Sequence, residues 1–190
     1  MKDLAICSSG HVYKNINKTS RVRRLKKKQR RLQRKISRKY NKNKKGESYH
    51  IIKSEKQLLR LNHRLTDIRT DYIHQATSEI VKREPSFIVM EDLNVTGMMK
   101  NKHLAKAIQE QKLAEFYRIM RYKCDRNGIK FITADRFYAS SKLCSVCGHK
   151  KGDLKLSDRI YRCEHCGTVI DRDLNASVNL YKYCKSIVDH

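Results

Sequence analysis

The sequence has no tryptophan, one proline, seven glycines and four phenylalanines in 190 residues. Without Trp, and with its ten Tyr scattered, the chain is poorly equipped to hold nucleic acid by stacking bases on an aromatic platform. No apolar run exceeds four residues (Leu4 to Cys7, Phe87 to Met90), far short of the roughly 20 that a membrane helix needs. No secretory signal opens the chain, so a cytoplasmic protein is expected, with no membrane partner. Acids are scarce too: 19 Asp+Glu stand against 44 Lys+Arg, a net charge of +25. Such a balance points to a polyanionic partner. With 39% hydrophobic residues there is material for one modest core and a small satellite, not for two large domains.

The positive charge is local. Residues 1–50 hold 18 Lys+Arg and two acids, Asp3 and Glu47, so +16 of the +25 sits in about a quarter of the chain. From Arg21 to Lys45, 15 of 25 residues are basic and none is acidic. Val22, Leu25, Gln29, Leu32, Ile36 and Tyr40 recur there at steps of three and four, which predicts a helix with one narrow docking stripe and cations around the rest. A merely solvated face would intersperse Glu and Asp. The candidate phosphate contacts are Arg21, Arg23, Arg24, Lys26, Lys27, Lys28, Arg30, Arg31, Arg34, Lys35, Arg38 and Lys39. After the polar stretch Asn41 to Ser48, the residues Leu58, Leu61, Leu65, Ile68, Tyr72, Ala76 and Ile80 predict a second, antiparallel helix, stopped by Pro85. His63 and His74 on that helix are assigned no role.

The remaining elements alternate. Leu4 to Cys7 and Val12 to Ile16 flank Ser8-Ser9-Gly10-His11 as a hairpin, and Phe87 to Met90 reads as a buried strand ending at Glu91-Asp92. Leu104 to Cys124 follows as one helix closed by Asn127-Gly128, then Ile129 to Ala134 as a strand, and Leu174 to Lys185 as a helix with Asp173 at its N-cap. The order describes an α/β fold. Carboxylates at strand ends and helix starts suit two-metal phosphodiester hydrolysis with Mg²⁺ or Mn²⁺, which makes Glu91, Asp171 and Asp173 candidates. A turn or cap role for the two aspartates stands beside that reading.

Seven cysteines, an odd number, argue against a secreted disulfide framework. Four of them form two Cys-x-x-Cys knuckles, Cys144/Cys147 and Cys163/Cys166, each followed by Gly, with fifteen residues between Cys147 and Cys163. This spacing predicts one structural Zn²⁺ per chain in a closed, four-thiolate shell. A redox dithiol pair fits it less well. His149 and His165 are bystanders beside a filled shell, within reach of phosphate.

In combination, Asp67-Ile68-Arg69-Thr70-Asp71-Tyr72-Ile73-His74, Ile88-Val89-Met90-Glu91-Asp92-Leu93-Asn94-Val95-Thr96-Gly97-Met98, Ser140-Ser141-Lys142-Leu143-Cys144-Ser145-Val146-Cys147-Gly148 and Asp171-Arg172-Asp173-Leu174-Asn175-Ala176-Ser177 resemble the TnpB (OrfB) proteins of insertion sequences. These are compact RNA-guided DNA nucleases of transposable elements, related to type V CRISPR effectors. The resemblance spans essentially all 190 residues. It implies an RNase H-like (RuvC-like) core with an inserted zinc ribbon, divided as 1–20 (hairpin), 21–84 (basic helical hairpin), 85–140 (core), 141–170 (ribbon) and 171–190 (last motif and helix). It implies Glu91 and Asp173 as catalytic metal ligands, with Asp171 ranked behind Asp173. The partners it implies are DNA and a guide RNA.

The family's first acid lies in a Gly-Ile-Asp-Leu-Gly-like strand just upstream of a segment similar to Lys2-Asp3-Leu4-Ala5-Ile6, and Asp3 does not match it. The chain therefore reads as the C-terminal half of such a nuclease, lacking the first catalytic strand and unable to cut alone. The alternative is a non-catalytic RNA- or DNA-binding protein derived from such a transposase. A zinc-ribbon protein of another basic class, ribosomal or transcriptional, would not need acids at Glu91 and Asp173.

Overall fold

A computed structural model of the protein describes residues 2–42, 48–155 and 157–188. Residues 43–47, most of the expected polar connection and the end of the basic run, lie outside the described set.

The first hairpin forms as the turn residues predict. Strands β1 (Asp3–Ile6) and β2 (Val12–Lys14) pair antiparallel with Ile6 opposite Val12, and Gly10 takes φ +84° in the turn. β2 stops short of the expected Ile16. Asn15 instead caps a single 3-10 turn (Ile16–Lys18), its side-chain oxygen accepting from the Asn17 amide at 3.0 Å.

Helices α1 (Ser20–Lys42) and α2 (Tyr49–Val81) run antiparallel. Gln29 meets Asn62 at 2.8 Å, Tyr40 meets Glu55 at 2.8 Å, and Lys39 donates to the His50 carbonyl and the Ser54 hydroxyl. The predicted stripe on α1 proves narrower than drawn: only Val22 and Ile36 are buried, and Tyr40 is exposed. The distal part of α2 enters the main core, where Ile73, Ala76 and Val81 pack with Tyr13, Phe116, Ile119, Met120 and Cys124. Lys123 is drawn into this contact, donating to the His74 carbonyl and the hydroxyls of Thr77 and Ser78, and its burial lowers its pKa.

Strands β3 (Phe87–Glu91) and β4 (Lys130–Ala134) pair parallel, from Phe87 opposite Lys130 to Glu91 opposite Ala134. Parallel neighbours need a long crossover. It is built here by α3 (Val95–Met99), α4 (Lys102–Gln111) and α5 (Leu113–Arg126). The single helix expected from Leu104 to Cys124 is therefore two helices, and Leu104 is exposed. Lys112 breaks them apart at φ +53°, ψ +45°, a left-handed conformation that costs a non-glycine residue on the order of 1 kcal/mol or more. Its side chain offsets that cost by donating to Thr70 at 2.6 Å and pairing with Glu115. The break lets α4 reach the first hairpin, where Gln111 donates to the Asp3 carbonyl at 2.9 Å, while α5 lies along α2.

Beyond β4, strands β5 (Ile160–Arg162) and β6 (Val169–Asp171) pair antiparallel, and α6 (Arg172–Val188) begins directly after β6. The cap of α6 is Asp171, not the expected Asp173: the Asp171 carboxylate accepts from the amides of Asp173 and Leu174 at 2.9 and 3.2 Å. An acidic acceptor at that position satisfies two otherwise orphaned N–H groups and complements the helix dipole. Among the described residues the strands form three separate two-stranded sheets, with α6 lying against β1, β3 and β4. No helix there is long and apolar enough to cross a membrane.

Met120 is 1% exposed in the main core, so Met120→Ala is expected to cost about 2–4 kcal/mol in urea unfolding. Leu59→Ala, on an exposed face of α2, should stay within about 0.5 kcal/mol of the parent.

Candidate metal centre and acid-lined cavity

The two Cys-x-x-Cys-Gly segments fold into matching turns. In the first, the Cys144 amide donates to the His149 carbonyl at 2.9 Å and the Gly148 amide to the Cys144 carbonyl at 2.9 Å. In the second, Cys163 donates to Thr168 at 2.8 Å and Gly167 to Cys163 at 3.1 Å. Both glycines sit at positive φ, +75° and +72°, which a side chain would strain. The four sulfurs of Cys144, Cys147, Cys163 and Cys166 consequently converge within 4.8 Å of one another, the only such cluster of three or more candidate ligand residues among the described residues. Cys144 and Cys166 stand 3.6 Å apart across the site, as do Cys147 and Cys163. A tetrahedral ion with metal–sulfur bonds of about 2.3 Å needs sulfurs about 3.8 Å apart, so the four thiols fit one metal ion.

The surroundings favour a thiolate at Cys166. The Thr168 hydroxyl lies 3.1 Å from the Cys166 sulfur and, with the Thr168 amide, pulls that thiol from 9.0 down to about 6. Tyr161, fully buried, ties the turns together by lying 3.3 Å from the Lys142 carbonyl and 3.2 Å from that of His149. Burial, then the neighbouring thiols, pushes its hydroxyl up to about 12. Cys144, Tyr161 and Cys163, backed by Leu154 and Ile170, form the satellite core. His149 and His165 are exposed and stack on each other with ring centroids 5.6 Å apart.

Glu91 and Asp173 line the same cavity, of about 680 Å³, between β1, β3 and α6. Glu91 ends β3, and the Ser140 hydroxyl donates to its carboxylate at 2.7 Å. Asp173 stands in the first turn of α6 with its side chain 45% exposed and Arg172 at 3.2 Å. Asp171 is spent on capping, which separates the roles of the two aspartates. Asp92, next to Glu91, is tied to Arg136 at 2.5 Å.

The two sites are joined by asparagines that the sequence motifs contained without revealing. Asn175 and Asn179, one turn apart on α6, are buried at 0% and 5% exposure. Asn175 donates to the Leu143 carbonyl at 2.6 Å and accepts from the Ser145 amide at 2.9 Å. Asn179 donates to the carbonyls of Ser140 and Leu143, both at 2.7 Å. One helix thus fixes both the first cysteine turn and the serine that holds Glu91. The available signal was Asn twice, four residues apart, inside a helix for which it is a poor former.

Of the twelve basic residues predicted on α1, Arg21, Arg23, Arg24, Lys27, Lys28, Arg30, Arg31, Arg34, Lys35 and Arg38 are exposed. Two have internal work: Lys26 pairs with Glu110 at 2.5 Å, and Lys39 makes the α2 contacts described above. Phe137, 90% exposed and held by an Asp135 turn, is a solvent-facing aromatic not anticipated from sequence.

A mixed α/β protein with a four-cysteine metal centre and a cationic helical hairpin is the class these features define. The model of the OrfB_IS605 family, described as "Probable transposase", matches residues 1–102, and that of the "Cas12f1-like, TNB domain" matches residues 114–180. The chain belongs to the OrfB_IS605 family. It is 39% identical over 128 residues to a "Putative RNA-guided DNA endonuclease" of Streptomyces pristinaespiralis, covering 67% of this chain and 31% of that protein. It is 29% identical over 192 residues to "Putative RNA-guided DNA endonuclease InsQ" of Escherichia coli (strain K12), covering 93% of this chain and 45% of that one. The chain thus spans between about a third and a half of these relatives. Its fold is similar to that in a cryo-EM structure of a CRISPR-Cas12f ternary complex, with TM-score 0.64, 22% identity, 93% of this chain and 35% of that chain. A second likeness is to a Cas12f1-sgRNA-target DNA complex, with TM-score 0.60, 19% identity, 90% of this chain and 43% of that chain.

Replacing Asn175 by Leu leaves the Leu143 carbonyl and Ser145 amide short of partners. Urea unfolding of Asn175→Leu at fixed metal concentration should show a loss of roughly 2–4 kcal/mol, and chelator competition should show metal held about 10- to 100-fold more weakly.

Proposed function

We propose that the chain is the RuvC-like and zinc-ribbon portion of a TnpB-like RNA-guided DNA endonuclease, and that by itself it binds nucleic acid without cutting it. The observation that carries this is α1, where ten exposed Lys and Arg side chains stand along one helix that contains no acid. Such a rod of uncompensated charge gains free energy by releasing counterions from a phosphate backbone. Its regular helical spacing suits a guide RNA or its heteroduplex with DNA, whose sequence is read by base pairing while protein contacts hold the backbone. The relatives named as RNA-guided DNA endonucleases and the structural likeness to guide-bound complexes support the same partners.

In this reading the parallel β3–β4 pair and the first hairpin belong to an RNase H-like core, residues 141–170 form the zinc ribbon, and one structural zinc per chain replaces a hydrophobic core for that ribbon. The Asn175 and Asn179 bonds transmit the ribbon's placement to Ser140 and hence to Glu91. Zinc supplies rigidity there and no chemistry, since four thiolates leave no open position.

Glu91 and Asp173 are the acids placed to serve a Mg²⁺ or Mn²⁺ nuclease site. A metal pair held about 3.5–4 Å apart needs more oxygen donors than these two carboxylates provide. Among the described residues these acids belong to no group of three or more whose ligand atoms lie within 4.8 Å of one another, although Asp3 lines the same cavity. That donor set does not fit the metal pair, and no hydrolytic step is assigned to the chain acting alone.

Three measurements test the proposal. Binding to a single-stranded RNA or duplex should fall by about 10³-fold between 50 and 200 mM salt if six or more phosphates are contacted. Reversing Arg24, Lys28 and Arg31 to Glu should abolish it, while Glu91→Gln and Asp173→Asn leave it unchanged. DNA cleavage by the 190-residue chain with Mg²⁺, lost on Glu91→Gln, would overturn the non-cutting assignment. Zinc analysis should give one ion per chain, and Cys163→Ser should remove it.

A further inference from the structure

The segment that leads from β4 to the first cysteine turn departs beside the acid-lined cavity, because Glu91 lies opposite Ala134 at the end of the parallel pair. Both of its ends are tied to the end of β3: Arg136 reaches Asp92 at 2.5 Å, and Ser140 donates to Glu91 at 2.7 Å. Between these ties the backbone is fixed as well. The Asp135 carboxylate accepts from the Phe137 amide at 2.7 Å, the Tyr138 amide donates to the Asp135 carbonyl at 3.1 Å, and the Ser140 amide donates to the Tyr138 carbonyl at 2.8 Å. Tyr138 turns inward, its ring stacked on Tyr183 with centroids 4.3 Å apart and its hydroxyl 3.3 Å from the Asn179 carbonyl. Phe137 faces outward at 90% exposure, the most exposed large hydrophobic side chain among the described residues.

A Phe held in water forgoes the favourable burial of its ring, and the ties on either side keep the loop from folding it in. A ring on a fixed backbone loses little freedom when a ligand covers it, so the contact forms at low entropic cost. Its surroundings select the ligand. Asp135 and Arg136 beside it are exposed and charged, so Phe137 is not the centre of an apolar patch of the kind that a protein partner buries. A nucleobase is flat, apolar on its face and polar at its edge, which matches a single ring set among charged groups. A net charge of +25 draws polyanions to the surface on which that ring stands. Inside a duplex the face of each base is covered by the next pair, so the base that reaches Phe137 must be unpaired.

We propose that Phe137 is a stacking residue for one unpaired base of a single-stranded nucleic acid, set on a rigid loop so that the strand is held beside the Glu91 end of the acid-lined cavity. The role is one of positioning, since the ring meets a base and no reacting atom. Every base has a face to stack, so the contact accepts DNA or RNA and reads no sequence. One ring holds one base, in keeping with a chain too poor in aromatics for an extended platform. The proposal rests on the nucleic-acid-binding reading of α1 and adds to it a contact to a base, where α1 offers contacts to phosphates.

Because the sequence contains no tryptophan, Phe137→Trp places a single indole reporter at the site. Titrating that full-length variant with a short oligothymidylate or oligouridylate should quench the indole emission, and the strand that does so at lower concentration identifies DNA or RNA as the source of the base. A strand of the same length built of abasic units, with the same phosphates and no bases, should not quench it. In the otherwise unchanged chain, Phe137→Ala should weaken binding of the thymidylate or uridylate strand about tenfold, the scale of one lost stacking contact, and leave affinity for the abasic strand unchanged. The slope of affinity against salt should also stay the same, since no phosphate contact is lost. Phe137→Leu, apolar but not flat, should behave as Phe137→Ala does. Equal quenching by the abasic strand, or unchanged affinity after Phe137→Ala, would overturn this proposal and leave the reading of α1 standing. A parent chain that binds none of the strands would overturn both.

Discussion

Scarcity of negative charge governs this molecule. With 44 basic and 19 acidic side chains, most cations must remain in solvent, and the acids available for internal pairing are placed at joints between elements. Glu110 on α4 holds Lys26 of α1 and Arg69 of α2, so one carboxylate ties three helices together. Glu115 anchors the break at Lys112, and Asp92 holds Arg136 across the ends of β3 and β4. The Glu110 and Glu115 pairs are partly sheltered from water, where an ion pair is screened less than on the surface. Along α1, which contains no acid, what remains outside is uniform positive charge, so the same shortage that makes each internal tie valuable creates the cationic face of that helix.

A second consequence concerns where rigidity comes from. The main core is small, built on the distal part of α2, on α5 and on the two strand pairs. The cysteine turns have only the small core of Cys144, Tyr161 and Cys163 with Leu154 and Ile170, and they depend on Asn175 and Asn179 for their position. Polar bonds inside a low-dielectric environment are directional, and unmade ones are costly. The asparagine ladder therefore fixes an orientation that apolar packing would leave loose, and it does so from the helix that also carries Asp173.

Much of this was legible in the residues. Periodicity located α1 and α2, a capping aspartate pointed to α6, and the Cys-x-x-Cys-Gly turns were readable down to their glycines because each needs a positive φ at one place. The failures have physical causes. Lys112 sits in a left-handed conformation that no local rule favours and that only its bonds to Thr70 and Glu115 support, so Leu104 to Cys124 read as one helix. Asp171 and Asp173 are both good caps, and which one caps was decided by where β6 ends. Lys26 and Lys39 looked like their neighbours until Glu110 and the end of α2 came within reach. The cavity between β1, β3 and α6 had no sequence signal, because its walls meet only in the tertiary arrangement.

The fifteen residues between the two cysteine turns separate the geometry of the metal centre from the length of the chain that connects its halves. Each turn closes on itself through its own backbone bonds, and Tyr161 and the thiolates hold the pair in register. The entropic cost of closing a flexible connection grows only with the logarithm of its length, so doubling it costs about 0.6 kcal/mol. The tip of that connection can therefore grow, shrink or acquire a new binding surface while the centre beneath it keeps its shape.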